Sequence, residues 1–163
     1  MKVYPIKLQI PDSYFDTYCF TANLQPITQD DETTARDYGL TLYKDKRYLN
    51  RECYSYALQN FKLCDIEDGY AELTALYEQI TIKDVKEGDI IAYYAIDKDT
   101  KGQDKPNELT IQHFARVMKV LQLSNKTCIK IKSKWGLNGI FEGCHDELPE
   151  FYGNFFGIYR RKK

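Results

Sequence analysis

The spacing of apolar positions changes period near residue 86, from helical to alternating. Cys53, Tyr56, Ala57 and Phe61 recur at helical intervals, predicting a short helix over 51–61. Asn50 stands where an N-cap belongs, and Glu52 adds negative charge to the first turn. Tyr70, Leu73, Leu76, Tyr77 and Ile80 line one face of a second helix over 70–80, with Asp68 as its cap. Lys86-Glu87-Gly88-Asp89 reads as a turn, Ile90–Ile96 as a strand, and 97–109 as a mobile polar loop carrying Gly102 and Pro106. A long strand follows over Thr110–Leu123. The turn Ser124-Asn125-Lys126 folds Cys128–Trp135 back antiparallel to it, and Asn154–Arg160 is a last aromatic strand. Strands 90–96, 110–123 and 128–135 are expected as antiparallel neighbours packed on the helix that begins near Cys53. Helices first and strands afterwards predict an α+β domain built on an antiparallel sheet.

The first 47 residues carry less pattern. Val3–Ile10 alternates weakly, as a strand does, and Thr28–Asp37 is polar, a loop or a helix start. With 163 residues the chain is one domain by size. Residues 1–47 form an N-terminal extension, and 48–160 form the core.

Charge narrows the partners. The 23 basic and 24 acidic side chains give a net charge of -1, so duplex nucleic acid has no electrostatic footprint to bind. That balance leaves open a single nucleotide or a protein as partner. The opening MKVYPIKLQIPDSY lacks the apolar run of a signal peptide, and no stretch is long enough to span a membrane, which predicts a cytoplasmic protein. Cysteines 19, 53, 64, 128 and 144 are odd in number and lack a CxxC pair. In a reducing compartment they read as free thiols. No zinc-ligand spacing appears, Cys144 and His145 being adjacent, so neither a metal nor a cofactor is expected.

Two residues stand out chemically. With Asn50 as N-cap, Cys53 becomes the third helical residue, beside unpaired amides and the positive end of the helix dipole. That setting favours thiolate and lowers the thiol from its ordinary value of about 8.5. The Cys53 amide is placed to donate to an oxyanion. His113, one of two histidines, shares a strand face with Ile111, Ala115 and Val117. An imidazole in such an apolar row needs a partner, and a thiolate supplies one.

The order of these pieces resembles the papain-like superfamily, in particular its NlpC-like and CHAP amidase branches. The matching segments are Glu52-Cys53-Tyr54-Ser55-Tyr56-Ala57 at a helix start, Lys86-Glu87-Gly88-Asp89-Ile90-Ile91 before a strand, and His113-Phe114-Ala115-Arg116-Val117 on the next strand. Ser133-Lys134-Trp135-Gly136, His145, Pro149, Tyr152-Gly153 and Tyr159-Arg160 also look like bacterial and phage relatives. The resemblance covers about residues 48–160 and implies a papain-like fold, N-terminal helices packed on an antiparallel β-sheet. It implies Cys53 as nucleophile and His113 as base. Such enzymes place a polar residue on the strand after the histidine strand to orient the imidazole. Ile129, Ile131, Ser133 and Trp135 share one face there, and Lys130, Lys132 and Lys134 share the solvated one. Ser133 is therefore the inward candidate, with His145 the alternative. Tyr48 or Asn50 is placed to complete the oxyanion hole, Asn50 equally to cap the helix. Trp135 either walls the substrate cleft or caps the core.

Two functions follow. The first is a cysteine hydrolase, an amidase, peptidase or deamidase working through an acyl-enzyme on an amide or peptide. The second is a non-catalytic binding or inhibitor protein of phage or mobile-element type on the same fold, its tyrosines supplying contact surface.

Overall fold

A computed structural model describes residues 2–6, 32, 35–36, 39–43, 45, 47, 51–98, 104–135, 139–148 and 152–163. Its elements in order are β1 (Tyr4–Pro5), β2 (Thr41–Tyr43), α1 (Cys53–Leu58), α2 (Ile66–Leu76), β3 (Tyr77–Ile80), a 3-10 turn (Ile82–Asp84), β4 (Ile90–Lys98), β5 (Asp104–Gln122), β6 (Thr127–Lys134), β7 (Ile140–Cys144) and β8 (Phe155–Arg161). The strands form one antiparallel sheet in the order β1-β8-β4-β5-β6-β7-β2, with β3 also paired to β8.

This architecture corrects the expected papain-like α+β fold. From residue 51 onward the described chain is mostly antiparallel strand, and its α-helices are only six and eleven residues long. The helix expected over 70–80 instead ends at Leu76. Tyr77, Glu78, Gln79 and Ile80 pair with Arg161, Arg160, Tyr159 and Ile158. Helical spacing at Tyr77 and Ile80 was overridden by a ladder to residues some eighty positions away, which local pattern cannot register. The polar loop expected over 97–109 is also shortened. Residues 97–98 end β4 and 104–109 begin β5, with Lys98 opposite Asp104; residues 99–103 lie outside the described part.

The antiparallel neighbours β4, β5 and β6 form as expected, and Leu123 N–H donates to Lys126 O (2.9 Å) across their tight turn. Of the N-terminal 47 residues, Tyr4–Pro5 and Thr41–Tyr43 are sheet strands against β8 and β7. Residues 7–10 of the expected first strand are outside the described part. Within 28–37 the described Glu32, Ala35 and Arg36 are helical.

Both faces of the sheet are covered. Ile90, Ala92, Tyr94, Phe114 and Tyr159 face α1 and α2, packing on Cys53, Tyr54, Ala57, Leu58 and Leu73. Ile91, Tyr93, Ala115, Val117, Ile129, Ile131, Phe156 and Ile158 face the other way and gather Leu40, Trp135, Phe141 and Leu148. Hence Ile90 to Tyr94 are buried without alternation, as expected of a central strand covered on both sides.

Local polar groups fix the start of α2 and the turn before β4. The carboxylate of Asp65 caps α2 by accepting from Asp68 N–H (2.8 Å), and Asp68 accepts in return from Cys64 N–H (3.1 Å). The cap is thus Asp65 and not Asp68. We expect Asp65→Ala to cost about 1 kcal/mol, read as a lower urea midpoint. At the Lys86–Asp89 turn Gly88 takes φ 89°. The buried Asp89 carboxylate accepts from Lys86 N–H (2.8 Å) and from Arg160 Nε (2.9 Å) and its terminal nitrogen (2.8 Å). A fork-to-carboxylate pair of this kind locks the start of β4 to the end of β8.

Candidate functional site

Cys53 opens α1 as its first residue. Glu52 holds the N-cap position with no side-chain cap, so Cys53 is not the third helical residue. Tyr48 and Asn50 lie outside the described residues, and their oxyanion roles stay with the sequence. The thiol is buried in the core between the helices and the sheet. Burial pushes it up to about 12; the amides of Phe114, Tyr54 and Cys53 itself oppose this less strongly, and the Glu52 carboxylate adds to the rise. The expected thiolate-favouring setting is reversed because this end of a short helix is seated under the sheet and away from water.

His113 lies on the opposite face. It pairs with Tyr93, stacks on Tyr152 (ring centroids 4.0 Å apart, planes at 19°) and lies 5.7 Å from the Tyr93 ring. Its side chain is wholly buried, and neither ring nitrogen has a hydrogen-bond partner. Burial alone lowers the imidazole to about 3. Ala115 and Val117 share its face as expected, but Ile111 does not. Tyr93 pairs with His113 while Tyr94 pairs with Ile111, so Gln112 is an inserted residue. Such a bulge moves everything before it to the other face. The sheet therefore stands between the Cys53 sulfur and the His113 ring, and no hydrogen bond joins them.

None of the remaining candidates bonds the imidazole. Ser133 and Trp135 point inward with Ile129 and Ile131, as alternation predicts. Ser133 does not orient His113, for its Oγ accepts from Trp135 Nε1 (3.0 Å). Trp135 lies 4.1 Å from the Phe141 ring and 6.2 Å, edge to face, from Tyr152, so it serves the core. His145 follows β7. Its Nδ1 accepts from Ile129 N–H (3.2 Å), its carbonyl accepts from the Tyr93 hydroxyl (2.9 Å), and its ring meets Phe156 at 5.0 Å. It pins a turn and does not touch the imidazole. On the opposite side of β6, Lys134 is buried against expectation, since Ile140, its partner on β7, packs with Tyr56 of α1.

The structure thus sets the His113 ring against Tyr93 and Tyr152, on the face of the sheet away from Cys53. Tyr93 and Tyr152 were missed as neighbours of the imidazole. Strand pairing opposite His113 was the available signal for Tyr93.

The cysteines bring a second correction. Cys128 and Cys144 form a disulfide between β6 and β7 (Cα–Cα 5.4 Å), and Cys53 and Cys64 are free; Cys19 lies outside the described residues. Beside the disulfide, donor atoms of Cys144, Asp146 and Glu147 lie within 4.8 Å of one another. The run Cys144-His145-Asp146-Glu147 was the signal for this cluster, passed over because adjacent residues seldom share a metal.

Among the described residues no helix is long and apolar enough to cross a membrane. Compared with protein-family models, curated proteins and solved structures, the chain matches none.

Proposed function

We propose that the chain works as a binding protein through its folded surface, not through a cysteine–histidine acyl transfer. The observation that carries this reading is the separation of Cys53 and His113 by the sheet. A buried thiol at about 12 and a buried imidazole at about 3 are both neutral near pH 7. Neither can pass a proton to the other across a strand.

The surface offers aromatic rings paired with cations. Phe61 is 45% exposed beneath the Arg51 guanidinium (5.1 Å), and Tyr43 is 37% exposed beneath the Lys132 ammonium (3.7 Å). Aromatic and arginine side chains are enriched where proteins bind one another, so a protein is the partner class that this surface suits.

The test is the order of thiol alkylation in the native protein, followed by mass spectrometry of peptides. Of the two described free thiols, exposed Cys64 should take iodoacetamide first. Cys53 should react about a thousandfold slower than an ordinary thiol, because so little of it is thiolate. Fast labelling of Cys53 that slows in His113→Ala would restore the hydrolase reading.

A further inference from the structure

We propose that Cys128, Cys144, Asp146 and Glu147 form a binding site for a thiolate-seeking divalent cation of the zinc type, opened when the Cys128–Cys144 disulfide is reduced. Three observations converge on it. The Cys144 sulfur and carboxylate oxygens of Asp146 and Glu147 already lie within 4.8 Å of one another. Donors about one tetrahedral metal sit roughly 3.5 Å apart at bond lengths of about 2.0–2.3 Å, so small side-chain rotations close the gap. The Cys128 sulfur is bonded to that of Cys144 and brings a fourth donor to the same place.

The third observation is independent of the spacing. Asp146 is 8% exposed, and its Oδ1 is buried with no hydrogen-bond partner. A buried carboxylate oxygen left unpaired is costly and calls for a cation or a donor. What it has nearby is Lys126, whose ammonium stands 3.5 Å from the other oxygen, Oδ2. That lysine side chain is 39% exposed, so its ammonium can turn out to water and be replaced.

The framework around the donors is fixed by its backbone. His145 N–H donates to Ile129 O (2.8 Å) and Glu147 N–H to Cys144 O (2.9 Å). Glu147 Oε1 accepts from Cys144 N–H (3.3 Å). These bonds hold the turn against β6 whether or not the sulfurs are joined. Sequence spacing hides the site because its fourth donor comes from the neighbouring strand.

The chemistry balances in two steps. A dithiol reductant passes two electrons and two protons to the disulfide, giving two thiols and its own cyclic disulfide. The divalent cation then displaces both thiol protons and takes two thiolates and two carboxylates. In the oxidised protein the sulfurs are poor ligands, and the two carboxylates alone hold such a cation weakly.

The experiment uses the full chain with Cys19 and Cys64 changed to serine, so that these thiols do not compete. The protein is reduced with a phosphine, which becomes the phosphine oxide while water supplies the thiol protons, and is then titrated with cobalt(II) and with zinc(II). The expected result is one cobalt per chain with a thiolate-to-cobalt charge-transfer band, lost on adding zinc. The same protein left oxidised should show no such band. Asp146→Asn, which keeps the shape of the side chain, should weaken binding at least tenfold, and Lys126→Ala should strengthen it. Circular dichroism of each variant separates lost binding from lost fold. No charge-transfer band in the reduced protein, or a band that survives Cys144→Ser, overturns the proposal. An unchanged affinity in folded Asp146→Asn overturns the part given to the carboxylates.

Discussion

Acid should unfold this protein well before its exposed carboxylates alone would require, and His113→Leu should remove much of that sensitivity. The buried imidazole is lowered to about 3, against about 6.5 in an unfolded chain. Between those values the unfolded state binds a proton that the folded state refuses. Stability therefore rises with pH across this window. It is fully present above about 6.5 and is lost as pH falls towards 3. At about 1.4 kcal/mol for each pH unit, this one side chain removes roughly 3 kcal/mol between pH 7 and pH 4. His113→Leu keeps the volume and has no proton to take up. At pH 7 it should also be more stable than the wild type by about 1–3 kcal/mol, since both ring nitrogens are buried without partners and leucine has none to satisfy. Urea unfolding of both proteins at pH 7 and pH 4 measures the two effects. A pH dependence that stays the same in His113→Leu would mean that the imidazole is not held neutral by burial. A catalytic base would lower the reactivity of its thiol when removed, so the rate of Cys53 alkylation in the same variant also bears on function.

The parts of this fold that were legible in the sequence are those decided by neighbours along the chain. The tight turn at Ser124-Asn125-Lys126 set the β5–β6 pairing. Strict alternation put Ile129, Ile131, Ser133 and Trp135 inward. The Gly88-Asp89 turn announced β4, although its tie to Arg160 needed the structure. What failed was decided at a distance. Tyr77–Ile80 reads as helix until β8 pairs with it. The inserted Gln112 reverses the face of Ile111 relative to His113, and a period count has no means of seeing one extra residue. The proposed catalytic pair depended on that face. His113 and Phe114 are adjacent, so they must point to opposite sides, and the helix carrying Cys53 chose the Phe114 side. The inward positions of Ser133 and Trp135 were correctly read, yet their bond is to each other. Chemistry attributed to single residues was thus sensitive to register in a way that the pairing of β4, β5 and β6 was not. The disulfide was invisible for a related reason. Cysteines sixteen residues apart carry no mark of pairing until β6 and β7 lie side by side.

Gly153→Ala should cost about 4 kcal/mol, from backbone strain and overpacking together. Gly153 has φ 108°, a conformation that side chains with a Cβ rarely adopt; holding one there costs about 1–3 kcal/mol. The added carbon would also stand 2.5 Å from Tyr94 O and 2.6 Å from Tyr94 C. Those are backbone atoms of a central strand and cannot swing aside as a flexible side chain would, so overpacking adds about 1–3 kcal/mol more. Relief requires the chain to move away from β4, and that breaks the bond from Asn154 N–H to Tyr94 O (3.0 Å) where β8 begins its pairing. Tyr152, one residue earlier, would be carried off the His113 ring on which it stacks. The two effects can be read separately. Urea unfolding gives the loss of stability, and an NMR titration of the His113 ring gives the local consequence. In the variant, water reaching the imidazole should raise its pKa from about 3 towards the ordinary range. A variant that loses stability without moving that titration would show that the clash is absorbed in β4 and that Tyr152 keeps its place. A variant as stable as the wild type would mean that the backbone at Gly153 does not approach Tyr94 as described.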